Sequence, residues 1–195
     1  GNAKVVRLPN VITTKEQLQD FRTNAAQYIT EGAVKIGANI DMAGEEWAPV
    51  DFGGVLDGQN YTISNLTVET DGAHCGVFGT LTGEVRNLNV SGGKLIAGTE
   101  GEDVKIGFVS VLSGEGSIHN VNVGMDQIQA SPIVHHAGGI VGYSDTTGEI
   151  TGCINSTPIV YSGETSGYQT IIGGIVGYSK TTDIEDCENT AEIDF

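Results

Sequence analysis

The chain has 195 residues, with 25 acidic against 9 basic side chains, a formal charge of −16 and 38% hydrophobic residues. That length fits one domain able to hide about 70% of its unfolded surface, while the charge argues against polyanionic partners, nucleic acid above all, which reward clustered Lys and Arg. No apolar run approaches the roughly 20 residues of a membrane helix, and no basic segment followed by an apolar one opens the chain as a signal peptide would.

The first predicted element is a helix over residues 13–29. Leu18, Phe21, Ala25 and Tyr28 recur at three- and four-residue steps behind a Thr14-x-x-Gln17 capping pattern. It reads as a cap over the first turn of a sheet stack, because a bare sheet edge leaves amides unpaired. We therefore divide the chain into an N-terminal segment, 1–35, and a repeat region, 36–195, within one structural domain. Asp57 follows in Leu56-Asp57-Gly58-Gln59-Asn60. Carboxylates on a strand face serve polysaccharide-cleaving enzymes, but Asp-Gly is first a turn former whose side chain bonds its own backbone. Glycosidases also need a second carboxylate about 5 to 10 Å away, and although Asp51 is close in sequence, the aligned positions of later units carry no acids.

From residue 75 onward the chain repeats. Cys75-Gly-Val-Phe-Gly-Thr-Leu, Ile106-Gly-Phe-Val-Ser-Val-Leu, Gly138-Gly-Ile-Val-Gly-Tyr-Ser and Gly173-Gly-Ile-Val-Gly-Tyr-Ser recur every 31 to 35 residues, a period that marks solenoids. A second block follows each: Val85-Arg-Asn-Leu-Asn-Val, Ile118-His-Asn-Val-Asn-Val, Ile150-Thr-Gly-Cys-Ile-Asn and Ile184-Glu-Asp-Cys-Glu-Asn. Ile63-Ser-Asn-Leu-Thr-Val has the same form. Leu66, Leu88, Val121, Cys153 and Cys187 then form one column, with Asn89, Asn122, Asn155 and Asn189 beside it as a structural ladder. In a coiled sheet, side chains of one column stack about 4.8 Å apart and amides bond along it. Five positions imply about five turns, and replacing Asn122 by Leu should be costly if that ladder is buried.

Residue types choose strand over helix: Val and Ile total 38 and Thr 19, against 8 Leu. Glycines every 8 to 12 residues suit corners between short strands. The expected fold is all-β, a parallel β-helix of about five turns with an N-terminal capping α-helix.

Between and within the repeats lie the groups that can carry chemistry. The Thr99–Asp103 loop gathers three acids but lacks the spaced ligands of a calcium loop. His135 and His136 are adjacent, so in a regular strand they point to opposite faces and do not share a metal; the same holds for His74 beside Cys75. His119 reads as a polar strand residue. No metal, cofactor or catalytic residue is expected, and neither HExxH, GxSxG, GxGxxG nor a phosphate-binding loop occurs. Cys153 and Cys187 share a column as inward thiols rather than a disulfide, since parallel stacked side chains point the same way. Tyr143 and Tyr178 also share a column, which is either aromatic stacking along the sheet or a sugar-binding platform. The last dozen residues, rich in Asp and Glu, are either an edge protected by like charge or the start of further turns beyond Phe195.

The paired blocks of the last two units, G-G-I-V-G-Y-S followed by I-x-x-C-x-N, resemble the GLUG repeat of bacterial surface proteins. The segment from Ile40 to Leu66 is similar to the leader that often precedes it, so the resemblance covers about residues 36–195. It implies a right-handed parallel β-helix in exported, adhesin-like proteins of Bacteroidetes type, and the repeat also accompanies large immunoglobulin-cleaving metallopeptidases without being their protease. The function expected is a non-catalytic binding or structural module at the cell surface, meeting a host, matrix or cell-surface protein or a glycan. The alternative is a carbohydrate-binding or polysaccharide-degrading β-helix protein.

Overall fold

The computed structural model describes residues 10–28, 32–163 and 169–194. Short strands separated by corners wind into a parallel β-solenoid of about four turns, with one short helix near the N-terminus. Every strand pairing among the described residues is parallel, between residues roughly one coil apart. Four sheets form the walls. The first is eleven-stranded and runs from Val11–Ile12 through Val34–Ile36, Val55–Asp57, Glu84–Ser91 and Ser117–Gly124 to Glu149–Thr151 and Asp183–Glu185. The second is built on Thr67–Thr70, Lys94–Ala97, Gln127–Ala130, Ile159–Tyr161 and Ile193–Asp194. The third holds His74–Cys75, Val104–Ile106, Val134–Gly138 and Ile171–Gly173, and the fourth Val50–Phe52, Phe78–Leu81, Val109–Gly114, Val141–Thr146 and Val176–Ser179.

Branched side chains fill the interior, as their preference for a pleated surface demands: Val85, Ile118 and Ile150 stack in register and are fully buried. Helix α1, Lys15–Asn24, continues as one 3-10 turn, Ala25–Tyr28. The expected capping box is present, with the Thr14 hydroxyl accepting from the Gln17 amide and Gln17 Oε1 accepting from the Thr14 amide. Its apolar stripe closes one end of the solenoid. Phe21 meets Phe52 edge-on at 5.1 Å, and the aromatic column continues through Phe78 to Phe108. The sheet itself starts earlier than residue 36, because Val11–Ile12 and Val34–Ile36 already pair in it. Ile29, the last residue of the expected helix, lies outside the described residues.

The register corrects the five-membered column. Ile63 pairs with Val90 rather than stacking under Val85, whose partner is Leu56. Leu66 therefore belongs to another corner, despite its matching Ser-Asn-Leu sequence. The corners explain why the two looked alike. Asn65, Asn87, Asn120 and Asp186 all adopt left-handed backbone (φ 59°, 53°, 52° and 52°), and Gly152 does the same at 64°. Asn, Asp and Gly tolerate that conformation best, so one short motif serves at two different corners.

The Asn ladder divides in the same way. Asn89 pairs with Asn122 and Asn155 with Asn189, but Asn122 faces Ile154, and Asn155 faces Val123. A one-residue step reverses the face of a side chain. Asn122 consequently lies outside, donating to Asn89 Oδ1 at 3.2 Å, whereas Asn155 is buried and donates to Asn189 Oδ1 at 3.0 Å. Asn155 also donates to the Thr157 carbonyl and accepts from the Thr157 amide. Across the interior, a Cβ on Gly139 would overlap the Asn155 carboxamide, and one on Gly174 would overlap that of Asn189. The glycine pair and the distant Asn of each late repeat are thus two sides of one contact. The earlier units carry Val90 and Val123 at the Asn position and have Val77 and Phe108 after a single glycine.

Candidate functional site

Outward-facing residues of the third and fourth walls converge into one polar and aromatic cluster. Tyr143 and Tyr178 are register partners whose rings stack at 5.4 Å with an 11° interplanar angle. Tyr178 is 40% exposed. The His136 ring packs against both, at 5.4 Å from Tyr143 and 5.2 Å from Tyr178. Lys105, the register partner of His136, places Nζ 5.9 Å from the Tyr143 centroid, within reach of a cation–π attraction.

The two adjacent histidines do not diverge as strict alternation requires. Val104 pairs with Val134, but the next residue, Lys105, pairs with His136, leaving His135 as the extra residue of a β-bulge. A bulge re-aims its side chain, and here it brings the His135 and His136 rings to 4.4 Å. From the preceding coil, Asp103 reaches His135, with 2.9 Å between its Oδ1 and Nδ1. Lys105 Nζ sits 3.1 Å from the other oxygen of Asp103. Partial burial works to raise the Asp103 pKa, but Lys105 and His135 hold its carboxyl below the ordinary carboxylate value. Burial, followed by the positive neighbours His135 and Lys105, pushes the His136 imidazole pKa below its ordinary value. His136 is 7% exposed, and its Nδ1 is buried without a hydrogen-bond partner. A groove lined by Gly101, Glu102, Asp103, Ile133, Val134 and His135 opens beside this cluster.

The other sequence candidates lie apart from it. Asp57 is the turn residue its Asp-Gly step implied: Oδ1 accepts from the Gln59 amide at 2.9 Å and from Asn87. Arg86 on the next coil lies 3.4 Å from Oδ2. Against the upward pull of partial burial, these partners keep the Asp57 carboxyl below its ordinary pKa. Asp51 accepts from the Thr80 amide at 2.8 Å. His119 meets Thr151 Oγ1 at 2.6 Å, and His74 is the register partner of Lys105 on the neighbouring coil. The three cysteines are free thiols, and burial pushes Cys75 and Cys153 up to about 12. Asn89, Asn122, Asn155 and Asn189 serve the two ladder segments described above and take no part in the cluster. Tyr143 and Tyr178 are the sequence candidates it does contain. The bulge that brings His135 and His136 together leaves no mark on the repeat length: Lys105 lies 31 residues from both His74 and His136, and only the pairing of Val104 with Val134, 30 residues on, exposes the extra residue.

No protein-family model matches the chain, and no curated protein matches it. Among solved structures it is similar to a "putative immunoglobulin A1 protease" from Bacteroides ovatus, with 16% identity over 94% of this chain and 76% of that one, at a TM-score of 0.45.

Proposed function

We propose that the chain is a non-catalytic binding module of an exported, cell-surface adhesin-like protein of the GLUG-repeat kind, and that the Tyr143–Tyr178 wall is where it meets a glycan. One observation carries the reading: two stacked tyrosines stand on the outer wall with Tyr178 40% exposed, beside a groove. An amphipathic ring offers an apolar face and a polar rim, a pairing that suits sugar rings with their C–H faces and hydroxyl edges. The parallel ladder holds that wall rigid, so little ordering accompanies binding. The carboxylates that suggested hydrolysis support the same reading. Asp57 is engaged by its own turn and by Arg86, and Asp51 by a backbone amide.

The test is a glycan array with the wild-type chain and Tyr178→Ala. Wild type should retain a set of glycans that the variant loses by about tenfold or more, the scale of a lost aromatic anchor. A blank array, or equal retention by both proteins, overturns the glycan reading, and release of sugars from a polysaccharide panel overturns the non-catalytic one. Fractionation of native cells should place the protein at the surface or outside; recovery from cytosol alone removes the adhesin reading.

A further inference from the structure

We propose that Asp103, His135 and His136 form a site for a single divalent transition-metal ion of the zinc type. One ligand atom from each residue lies within 4.8 Å of those of the other two. Tetrahedral zinc with ligand bonds of 2.0–2.2 Å sets its ligand atoms about 3.4 Å apart, so no pair needs to close by more than about 1.4 Å, and Asp103 Oδ1 and His135 Nδ1, now 2.9 Å apart, need only open slightly to admit the ion. The second observation is independent of that clustering. His136 is more than nine-tenths buried, yet its Nδ1 has no hydrogen-bond partner, and buried polar atoms ordinarily have one.

The backbone builds the arrangement. His135 is the extra residue of a bulge, and Asp103 adopts left-handed backbone (φ 54°) on the preceding coil. Without the bulge the two imidazoles would lie on opposite faces of the wall. Two imidazoles and one carboxylate match zinc, nickel or copper, whereas calcium and magnesium demand several oxygens. Three protein ligands leave a fourth coordination position for water or another ligand. Lys105 holds the remaining Asp103 oxygen at 3.1 Å. It orients the carboxylate as an outer-shell partner, and its charge weakens the site. The ligands share the cluster and its groove with the tyrosine pair, but the test reads metal uptake and imidazole shifts rather than glycan retention, so either reading can fail alone.

The experiment uses the tag-free chain. Zinc titration followed by calorimetry should show one ion per chain, with calcium and magnesium giving no comparable heat. Nuclear magnetic resonance of the wild-type imidazoles should show zinc shifting His135 and His136 while His74 and His119 stay in place. His135→Ala and Asp103→Asn should each weaken binding about tenfold or more. Cobalt should give visible ligand-field bands without sulfur-to-metal charge transfer. Absence of uptake at 100-fold excess zinc, shifts confined to His74 or His119, a thiolate charge-transfer band, or unchanged affinity in both variants would each overturn the site. The resonance readout needs no substitution, so a variant that fails to fold does not shield the proposal.

Discussion

Asn122 and Asn155 stand on successive coils and share a sequence context, yet they face opposite sides of one wall. Asn122 is outside and Asn155 is fully buried. A buried carboxamide whose donors and acceptor are all engaged is expensive to remove, because the partners it leaves behind keep their desolvation cost. Asn155→Leu should therefore destabilise by about 1–3 kcal/mol, since it strands the amide and carbonyl of the fully buried Thr157 and crowds Gly139. Asn122→Leu should stay within about 0.5 kcal/mol. Chemical denaturation of the two variants checks this, and equal losses would mean the register step is misplaced. Sequence alignment alone put these residues in one ladder, since it counts letters and the face of a strand residue turns on a single inserted position. What was legible was that amides stack. Which side of the wall they stack on was not.

At the scale of the element, helix α1 and the bulge show opposite degrees of legibility. The helix announces itself through local chemistry: apolar spacing and a capping pair, both satisfied within the segment. Its target was not readable, because the aromatic column from Phe21 to Phe108 joins residues from separate coils. Phe21→Ala should cost about 3–5 kcal/mol as a buried aromatic truncation, several times the roughly 1 kcal/mol expected for loss of the N-cap in Thr14→Ala. Thermal melts of both variants test the cap. If Phe21→Ala melts no lower than Thr14→Ala, the helix is an appendage and does not close the core. The bulge at His135 has no such local signature. Its sequence, Val134-His135-His136-Ala137, reads as ordinary strand, and only pairing with Val104 and Lys105 reveals the extra residue. The tyrosine half of the candidate site was therefore visible from the repeat, and the histidine half was not.

For the whole molecule, two opposing electrostatic effects set the response to pH. The formal charge of −16 repels itself in the compact state, a strain that acid relieves only where carboxylates begin to protonate. The His136 imidazole, with a folded pKa below its ordinary value, takes its proton more readily when unfolded and so lowers stability as pH drops from 7 through the histidine range near 6.5. Below that range the specific partners of individual carboxylates decide. Asp57 has a folded pKa below its ordinary value; a depressed carboxylate contributes stability above its unfolded pKa, near 4, and loses it as pH falls through the folded value. Asp103 acts in the same sense. Stability should thus fall modestly from pH 7 toward pH 5 as the histidine titrates and decline further below about pH 4. Asp57→Asn isolates the carboxylate effect, since its carboxamide oxygen can still accept the Gln59 amide while the charge facing Arg86 is gone. The variant should melt below wild type at pH 7, and the difference should close as pH falls toward 3. A difference that stays constant from pH 7 to 3 would show that the carboxylate's charge adds nothing to the ladder and that only its turn geometry matters.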